Sequence, residues 1–316
     1  MNGNAYPHQS VMQQAVLEAL NPAPGKVFVD GTLGAGGHTE AILKATAPDG
    51  SVIAFDVDPQ AIAIAAQRLE PFGSRVRIIR DSYASLANHI PPSEKIDGVL
   101  LDLGISSMQI DRAERGFSFS QDGPLDMRFN PAQPLSAYDI VNDNSAEALA
   151  QILWTYGEER KSRQIAAAIV AEREKKPIRT TGELAGIIAK TVKGNREKIH
   201  PATRSFQAIR IAVNNELEAL ETVLPQAVAA LKLGGRLAVI SFHSLEDRIV
   251  KHFIQTESRD CLCPPQQPVC TCGHKASIKS ISRHVQIAGA AEVETNVRAR
   301  SAKLRVAEKI GVADEN

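Results

Sequence analysis

The sequence predicts an α/β fold, a doubly wound parallel sheet interrupted by an all-helical insert. Three observations predict it. Short apolar, β-rich runs alternate with helical patterns in the first third of the chain. A glycine-rich turn sits between the first run and the first helix. The strand signal then stops after Asp102 and resumes only beyond Gly234-Gly235. Alternation of this kind gives parallel strands joined by crossover helices, and strands buried on both faces read as continuous apolar runs.

Strands are expected at Lys26–Asp30, Ser51–Asp56, Val76–Ile79 and Gly98–Leu103. Crossover helices are expected at Gly37–Ala45 and Pro59–Glu70, where Pro59 suits a first helical turn. Asp111–Pro134 reads as a long loop rich in Gly, Pro and Asp that carries Phe117, Phe119 and Phe129, and a loop of that length is usually functional or disordered. Helical patterns without strands follow at Ser145–Tyr156, Glu158–Lys175 and Thr181–Val192, with Ser145, Glu147, Thr180 and Glu183 where helix starts favour hydroxyls and acids. One long helical region, Pro201–Lys232, leads through Gly234-Gly235 into a strand at Arg236–Phe242, and a last strand is expected at Ala302–Ala307. The expected organisation is a sheet domain in two parts, 1–110 and 206–316, around a loop and helical insert, 111–205.

The length of 316 residues suits one large or two ordinary domains, and 43% hydrophobic with 23% charged residues is an ordinary globular balance. Disordered, collagen-like and disulfide-scaffold classes are excluded. No run approaches the roughly 18 apolar residues of a membrane span, and the N-terminus lacks a signal-peptide pattern, so no membrane partner is expected and the cytoplasm is the default. The net charge is zero, yet Glu158–Asn215 carries 13 Lys/Arg against 6 Asp/Glu, and Arg259–Arg305 carries 8 against 3. Such polarity suits a basic surface offered to nucleic acid, although solvated helix faces give similar runs.

The sharpest local signal is Asp30-Gly-Thr-Leu-Gly-Ala-Gly-Gly-His38. Gly34 and Gly36 let a ligand approach backbone N–H groups. Asp56 ends the second strand 22 residues after Gly34, where doubly wound folds place the carboxylate that accepts from ribose hydroxyls. NAD and S-adenosylmethionine both satisfy this pair. Asp30 separates them: an acid at the first strand end repels pyrophosphate and attracts a sulfonium and an ammonium. Thr39, in place of the third glycine of the dinucleotide pattern, favours S-adenosylmethionine as well. Asp102 ends the fourth strand in Leu100-Leu-Asp-Leu-Gly-Ile-Ser-Ser-Met-Gln109, beyond the carboxyl ends where open sheets bind ligands. The plainer alternative makes Asp102 a helix cap and Ser106 and Ser107 turn residues.

Together with Arg115–Met127, Tyr156–Arg160, His200–Arg210 and Ile240–Lys251, these segments give a chain that, over nearly its whole length, resembles the bacterial ribosomal RNA small-subunit methyltransferase H family, also called MraW. The resemblance implies a class I methyltransferase domain with a helical insert. It also implies S-adenosylmethionine-dependent methylation of a cytosine amino nitrogen, N4, in 16S ribosomal RNA, the substrate being the RNA or the assembled small subunit. By position it implies that Gly36, Gly37, His38, Asp56, Tyr83, Asp102 and Gln109 contact the cofactor. Ser10 and Val297 stand where the family often has proline. The Asp/Asn-Pro-Pro-aromatic motif of many amino-methyltransferases is replaced here by Asp102-Leu-Gly-Ile-Ser-Ser107.

A cytosine amine is a poor nucleophile because its lone pair is delocalised, so an oxygen or nitrogen acceptor must orient it. Candidate catalytic residues are Asp102, Ser106, Ser107 and His243, with Ser244 beside the last; His243 reads equally as a structural histidine at a strand end. Lys190, Lys193, Arg196, Lys198, Arg204 and Arg210 are candidates for phosphate contact, and the three loop phenylalanines either stack on an extruded base or pin the loop to the core. All four cysteines fall in Cys261-Leu-Cys263 and Cys270-Thr-Cys272, near His274. They read either as zinc ligands or as reduced thiols in a proline-stiffened loop, and the implied activity needs no metal. The alternatives to a methyltransferase are an NAD-dependent oxidoreductase and a non-catalytic RNA-binding assembly factor.

Overall fold

A computed structural model describes residues 10–192, 200–281 and 284–311. Packing divides the chain into a sheet unit, Met1–Gly104 with Leu217–Asn316, and a helical unit, Ile105–Glu216.

The sheet unit runs α1 (Gln13–Leu20), β1 (Val27–Asp30), α2 (Gly37–Ala45), β2 (Ser51–Asp56), α3 (Pro59–Leu69), β3 (Val76–Arg80), α4 (Leu86–His89) and β4 (Ile96–Asp102). The strand order is β3-β2-β1-β4 and all these pairings are parallel. The apolar runs make this inevitable: Val52–Phe55 and Val99–Leu101 are buried on both faces, which only helices above and below a sheet can arrange. Asp58 caps α3 by accepting from Gln60 N at 2.9 Å, with Pro59 in the first turn as its fixed φ favours.

The helical unit contains α5 (Ser107–Asp111), α6 (Ala137–Asp143), α7 (Ala146–Gly157), α8 (Ser162–Arg173), α9 (Thr181–Thr191) and α10 (Thr203–Asn214). Ser136, Ser145 and Thr180 accept N–H groups of the turns that follow them. The core comprises Leu149, Leu153, Ile165, Ile169, Leu184, Ile188 and Ile209 among others. The loop before α6 is pinned rather than loose. Buried Arg115 donates Nη2 to the carbonyls of Arg128 and Phe129, at 2.8 and 3.1 Å, and Phe117 stacks on Phe129.

The sheet unit then resumes with α11 (Glu216–Ala230), β5 (Leu231–Ser241), α12 (Ser244–Glu257), β6 (Ile278–Ser280), β7 (Gln286–Ile287), α13 (Ala290–Thr295) and β8 (Lys303–Lys309). β5 joins β4 in parallel and β8 is antiparallel to β5, with β6 and β7 on β8's other edge. The expected single helical region, Pro201–Lys232, is two helices broken at Asn215, which takes a left-handed φ of 52°. The change of unit therefore falls at Glu216 rather than at 205/206, because Phe206, Ile209 and Val213 of α10 are buried in the helical core. Helices α1 and α13 and the short strands β6 and β7 have no counterpart in the sequence reading. Among the described residues, no helix is long and apolar enough to cross a membrane.

Candidate cofactor and active site

Three parallel strands of the sheet unit end in a carboxylate: Asp30 on β1, Asp56 on β2 and Asp102 on β4. Asp30 is fully buried and accepts from Thr39 Oγ1 at 2.7 Å and from Thr32 N at 3.0 Å. Burial pushes its carboxyl above the usual range, against the lowering effect of those bonds. Asp30 thus ties β1 to α2. Thr32 completes the tie, since its Oγ1 accepts from Asp102 N at 2.7 Å.

Asp56 accepts from Gly34 N at 2.8 Å and from Asp58 N at 2.9 Å, which fixes the glycine turn to the end of β2. Burial pushes its carboxyl up to about 6 despite both bonds. Gly34 has φ of +51°, and a Cβ there would face nothing nearer than 3.9 Å, so this is the open side of the turn. Gly36 and Gly37 are required by packing instead. Gly36 caps α2 at φ 79° with Ala65 and Leu69 3.3 Å from where a Cβ would stand, and a Cβ on Gly37 would strike the Ser10 hydroxyl.

His38, on the first turn of α2, is buried with Nε2 3.5 Å from Asp102 Oδ2, an ion-pair distance without a formed hydrogen bond. Desolvation lowers the pKa of His38, but Asp102, with smaller help from Asp30 and Glu292, outweighs it and the net displacement is upward. Among the described residues, His38 Nδ1 and Nε2 and Asp102 Oδ1 are buried without hydrogen-bond partners. Buried polar atoms are ordinarily satisfied, and here three such atoms lie at the carboxyl end of the sheet, where ligands of doubly wound folds bind. Tyr83 follows β3 and packs beside the sheet core, and its Cβ would stand 3.2 Å from a Cβ on Gly31.

In the helical unit, Ser106 and Gln109 cap α5 reciprocally. Gln109 N donates to Ser106 Oγ at 3.3 Å, and Ser106 N donates to Gln109 Oε1 at 3.0 Å. Ser107 is the first residue of α5. The cap of this helix is therefore Ser106, whereas the plainer alternative made Asp102 the cap and Ser106 a turn residue. His243 caps α12 in the sheet unit: Glu246 N donates to its Nδ1 at 3.4 Å, while Phe242 N and His243 N donate to Glu246 Oε2 at 2.8 and 3.3 Å. That arrangement matches the structural-histidine alternative, with Nε2 3.2 Å from Glu246 Oε1. Glu246, buried and pivotal, escaped the sequence reading, although a His-x-x-Glu spacing at a helix start is a capping-box signal.

The phosphate-contact candidates separate. Arg210 is buried and bidentate to Glu216 at 2.7 and 2.9 Å, so it is a core ion pair and not an RNA contact. Lys190 is exposed. Lys193, Arg196 and Lys198 lie outside the described residues. The phenylalanines are packing anchors: Phe117 is buried, and Phe119 stacks on His200 and meets Phe206 edge-on.

A parallel sheet ordered β3-β2-β1-β4-β5 with an antiparallel strand beyond β5, a glycine turn bonded to the β2 acid and carboxylates at the ends of β1, β2 and β4 together define a class I, S-adenosylmethionine-dependent methyltransferase. The chain belongs to the MraW methylase family, whose profile matches residues 5–310. It is similar to proteins named ribosomal RNA small subunit methyltransferase H. That of Dehalococcoides mccartyi is 52% identical over 307 residues, covering 96% of this chain and 87% of that one. That of Geotalea uraniireducens is 52% identical over 307 residues, 96% and 98% of the two chains, and that of Heliobacterium modesticaldum is 49% identical over 308 residues, 96% and 98%.

Proposed function

We propose that the protein methylates N4 of a cytidine in small-subunit ribosomal RNA in the cytoplasm, with S-adenosylmethionine as donor. The observation that carries the reading is the row of strand-end carboxylates Asp30, Asp56 and Asp102, which suits a sulfonium and an ammonium and opposes a pyrophosphate. This disfavours an NAD-dependent oxidoreductase. The RNA substrate rests on the names borne by relatives at about 50% identity.

The residues present fit the cofactor. Asp56 would accept from the ribose hydroxyls, the open face of Gly34 would admit a ligand to the backbone, and His38 and Asp102 offer buried polar atoms that no described residue pairs. Tyr83 and Gln109 are assigned as further contacts, with Gly36 and Gly37 shaping the turn. Bound S-adenosylmethionine supplies a methyl group made electrophilic by a sulfonium. Asp102 Oδ1 would accept an N–H hydrogen bond from the cytosine amine, turning its lone pair toward that methyl group, and would take up the amine proton as the N–C bond forms and the methyl–sulfur bond breaks, its electron pair leaving with sulfur as neutral S-adenosylhomocysteine. His38 Nε2, 3.5 Å from the other Asp102 oxygen, favours the ionised carboxylate when the imidazole is protonated. Ser106, Ser107 and His243 are secondary candidates for orienting the amine. The helical unit, Ile105–Glu216, is the proposed RNA-recognition part.

The test is mass spectrometry of small-subunit ribosomal nucleosides from cells with and without the protein, paired with methyl transfer to purified subunits. Loss of N4-methylcytidine without the protein, and its return in vitro, is expected. Unchanged nucleosides together with RNA binding would leave the non-catalytic assembly factor instead.

A further inference from the structure

The 20 residues between α12 and β6 form neither helix nor strand, and they have little apolar material to hold them, since Leu262 and Val269 are 42% and 69% exposed. An irregular segment of this length needs some other constraint to adopt one conformation. What gathers this one is sulfur. Cys261 Sγ lies 3.4 Å from Cys270 Sγ and 3.8 Å from Cys272 Sγ, the last two are 3.6 Å apart, and all four sulfurs, Cys263 included, lie within 4.8 Å of one another. Zinc bound tetrahedrally by thiolates at about 2.3 Å sets sulfur–sulfur edges of about 3.8 Å.

The surroundings agree. None of the four is in a disulfide. The N–H groups of Leu262, Cys263 and Thr271 donate to the sulfurs of Cys272, Cys261 and Cys263 at 3.3, 3.4 and 3.4 Å, bonds that spread thiolate charge around a metal. His274, the nitrogen ligand suggested by sequence proximity, is committed elsewhere, its Nε2 3.1 Å from the Thr256 carbonyl oxygen. The donor set is therefore sulfur alone, which selects zinc or iron among common ions.

We propose that Cys261, Cys263, Cys270 and Cys272 form a tetrathiolate zinc site that fixes the α12–β6 segment. Four sulfurs fill all four positions, which makes the site structural rather than catalytic. It also lies at the far end of α12 from His243, about 21 Å along a 14-residue helix. Four thiols bind one Zn²⁺ as thiolates and release up to four protons to solvent, so no oxidant or reductant is involved. The narrow Cys-x-Cys spacing is no obstacle, because each pair folds so that its sulfurs converge with those of the other.

The full chain, purified under reducing conditions without chelator, is analysed for metal, then stripped and titrated with zinc and separately with cobalt. About one zinc per chain is expected, together with the visible spectrum of tetrahedral tetrathiolate cobalt in the unmodified protein. Cys270→Ser with Cys272→Ser should abolish both signals and raise the rate of limited proteolysis between α12 and β6 several-fold, while S-adenosylmethionine affinity stays within two-fold. The proposal is overturned by less than about 0.1 zinc per chain after reconstitution, by a cobalt spectrum lacking thiolate coordination, by iron as the resident metal, or by equal zinc content in the double variant. Because the cobalt spectrum is read on the unmodified protein, a variant that failed to fold would still leave a decisive measurement.

Discussion

The carboxylate of Asp56 accepts the backbone N–H of Gly34 at 2.8 Å, so the acid that ends β2 also shapes the glycine turn. Burial pushes this carboxyl up to about 6, above its ordinary 3.8. The folded chain therefore holds a proton that the unfolded chain releases, and stability of the cofactor-free protein declines as pH rises from about 4 through 6, by an amount on the order of 3 kcal/mol at most.

Cofactor affinity should move the opposite way. Ionised Asp56 is the stronger acceptor for ribose hydroxyls, so calorimetry should show S-adenosylmethionine binding several-fold more tightly at pH 7.5 than at pH 5. Asp56→Ala should weaken binding at pH 7.5 by about 1 to 3 kcal/mol and remove the pH step. Equal affinities for the parent and Asp56→Ala would take Asp56 out of the ribose site.

For stability His38 has the same sign as Asp56, over a higher pH range. Its folded pKa is raised by Asp102, so its stabilising contribution is complete below about 6.5, the unfolded value, and is lost as pH rises through the folded value. The melting temperature of the parent should exceed that of His38→Asn most at pH 6, with the gap narrowing toward pH 9. A gap that does not change with pH would show that His38 is neutral throughout.

Arg210 makes a prediction about stability rather than RNA. Arg210→Met leaves the Glu216 carboxylate buried without its guanidinium and should cost about 3 to 5 kcal/mol in urea denaturation. The salt dependence of RNA binding by the folded fraction should be unchanged, because a residue that touches no phosphate releases no counterion. A slope reduced by about one unit would return Arg210 to the RNA surface.

Much of the sheet was legible because its signal is local. Ser51–Asp56 and Gly37–Ala45 fall at the expected residues, since a buried strand and a glycine-started helix each write their pattern within ten residues. The strand-end acids follow from the same logic. What was not legible depends on pairing across distance. The break at Asn215 interrupts a region whose helical periodicity continues on both sides, and the burial of Arg210 depends on Glu216 having turned back toward it. Whether the four cysteines converge, and whether His243 and Ser106 serve helix caps or catalysis, was left undecided by spacing alone, because each residue type serves chemistry and structure equally well.

The reacting centre separates Asp102 from Ser106. Asp102 brings to the end of β4 a buried oxygen with no partner among the described residues, whereas the Ser106 hydroxyl already accepts Gln109 N and holds α5 in register. Ser106→Ala should act mainly through the cap. Losing it costs about 1 kcal/mol of local stability and frees Gln109, so the Michaelis constant for S-adenosylmethionine should rise several-fold with little change in kcat. Asp102→Asn keeps the shape but removes the charge and the proton acceptor. Its kcat at saturating RNA and cofactor should fall on the order of 100 to 1,000 fold, the scale of a lost general base or positioned hydrogen bond, and cofactor affinity should fall with it if, as proposed, the same carboxylate contacts the cofactor. Single-turnover methyl transfer at saturation distinguishes the two. If Asp102→Asn turned over at the parental rate while Ser106→Ala did not, the acceptor role would pass from the carboxylate to the serine, and the unpaired Asp102 oxygen would belong to cofactor binding alone.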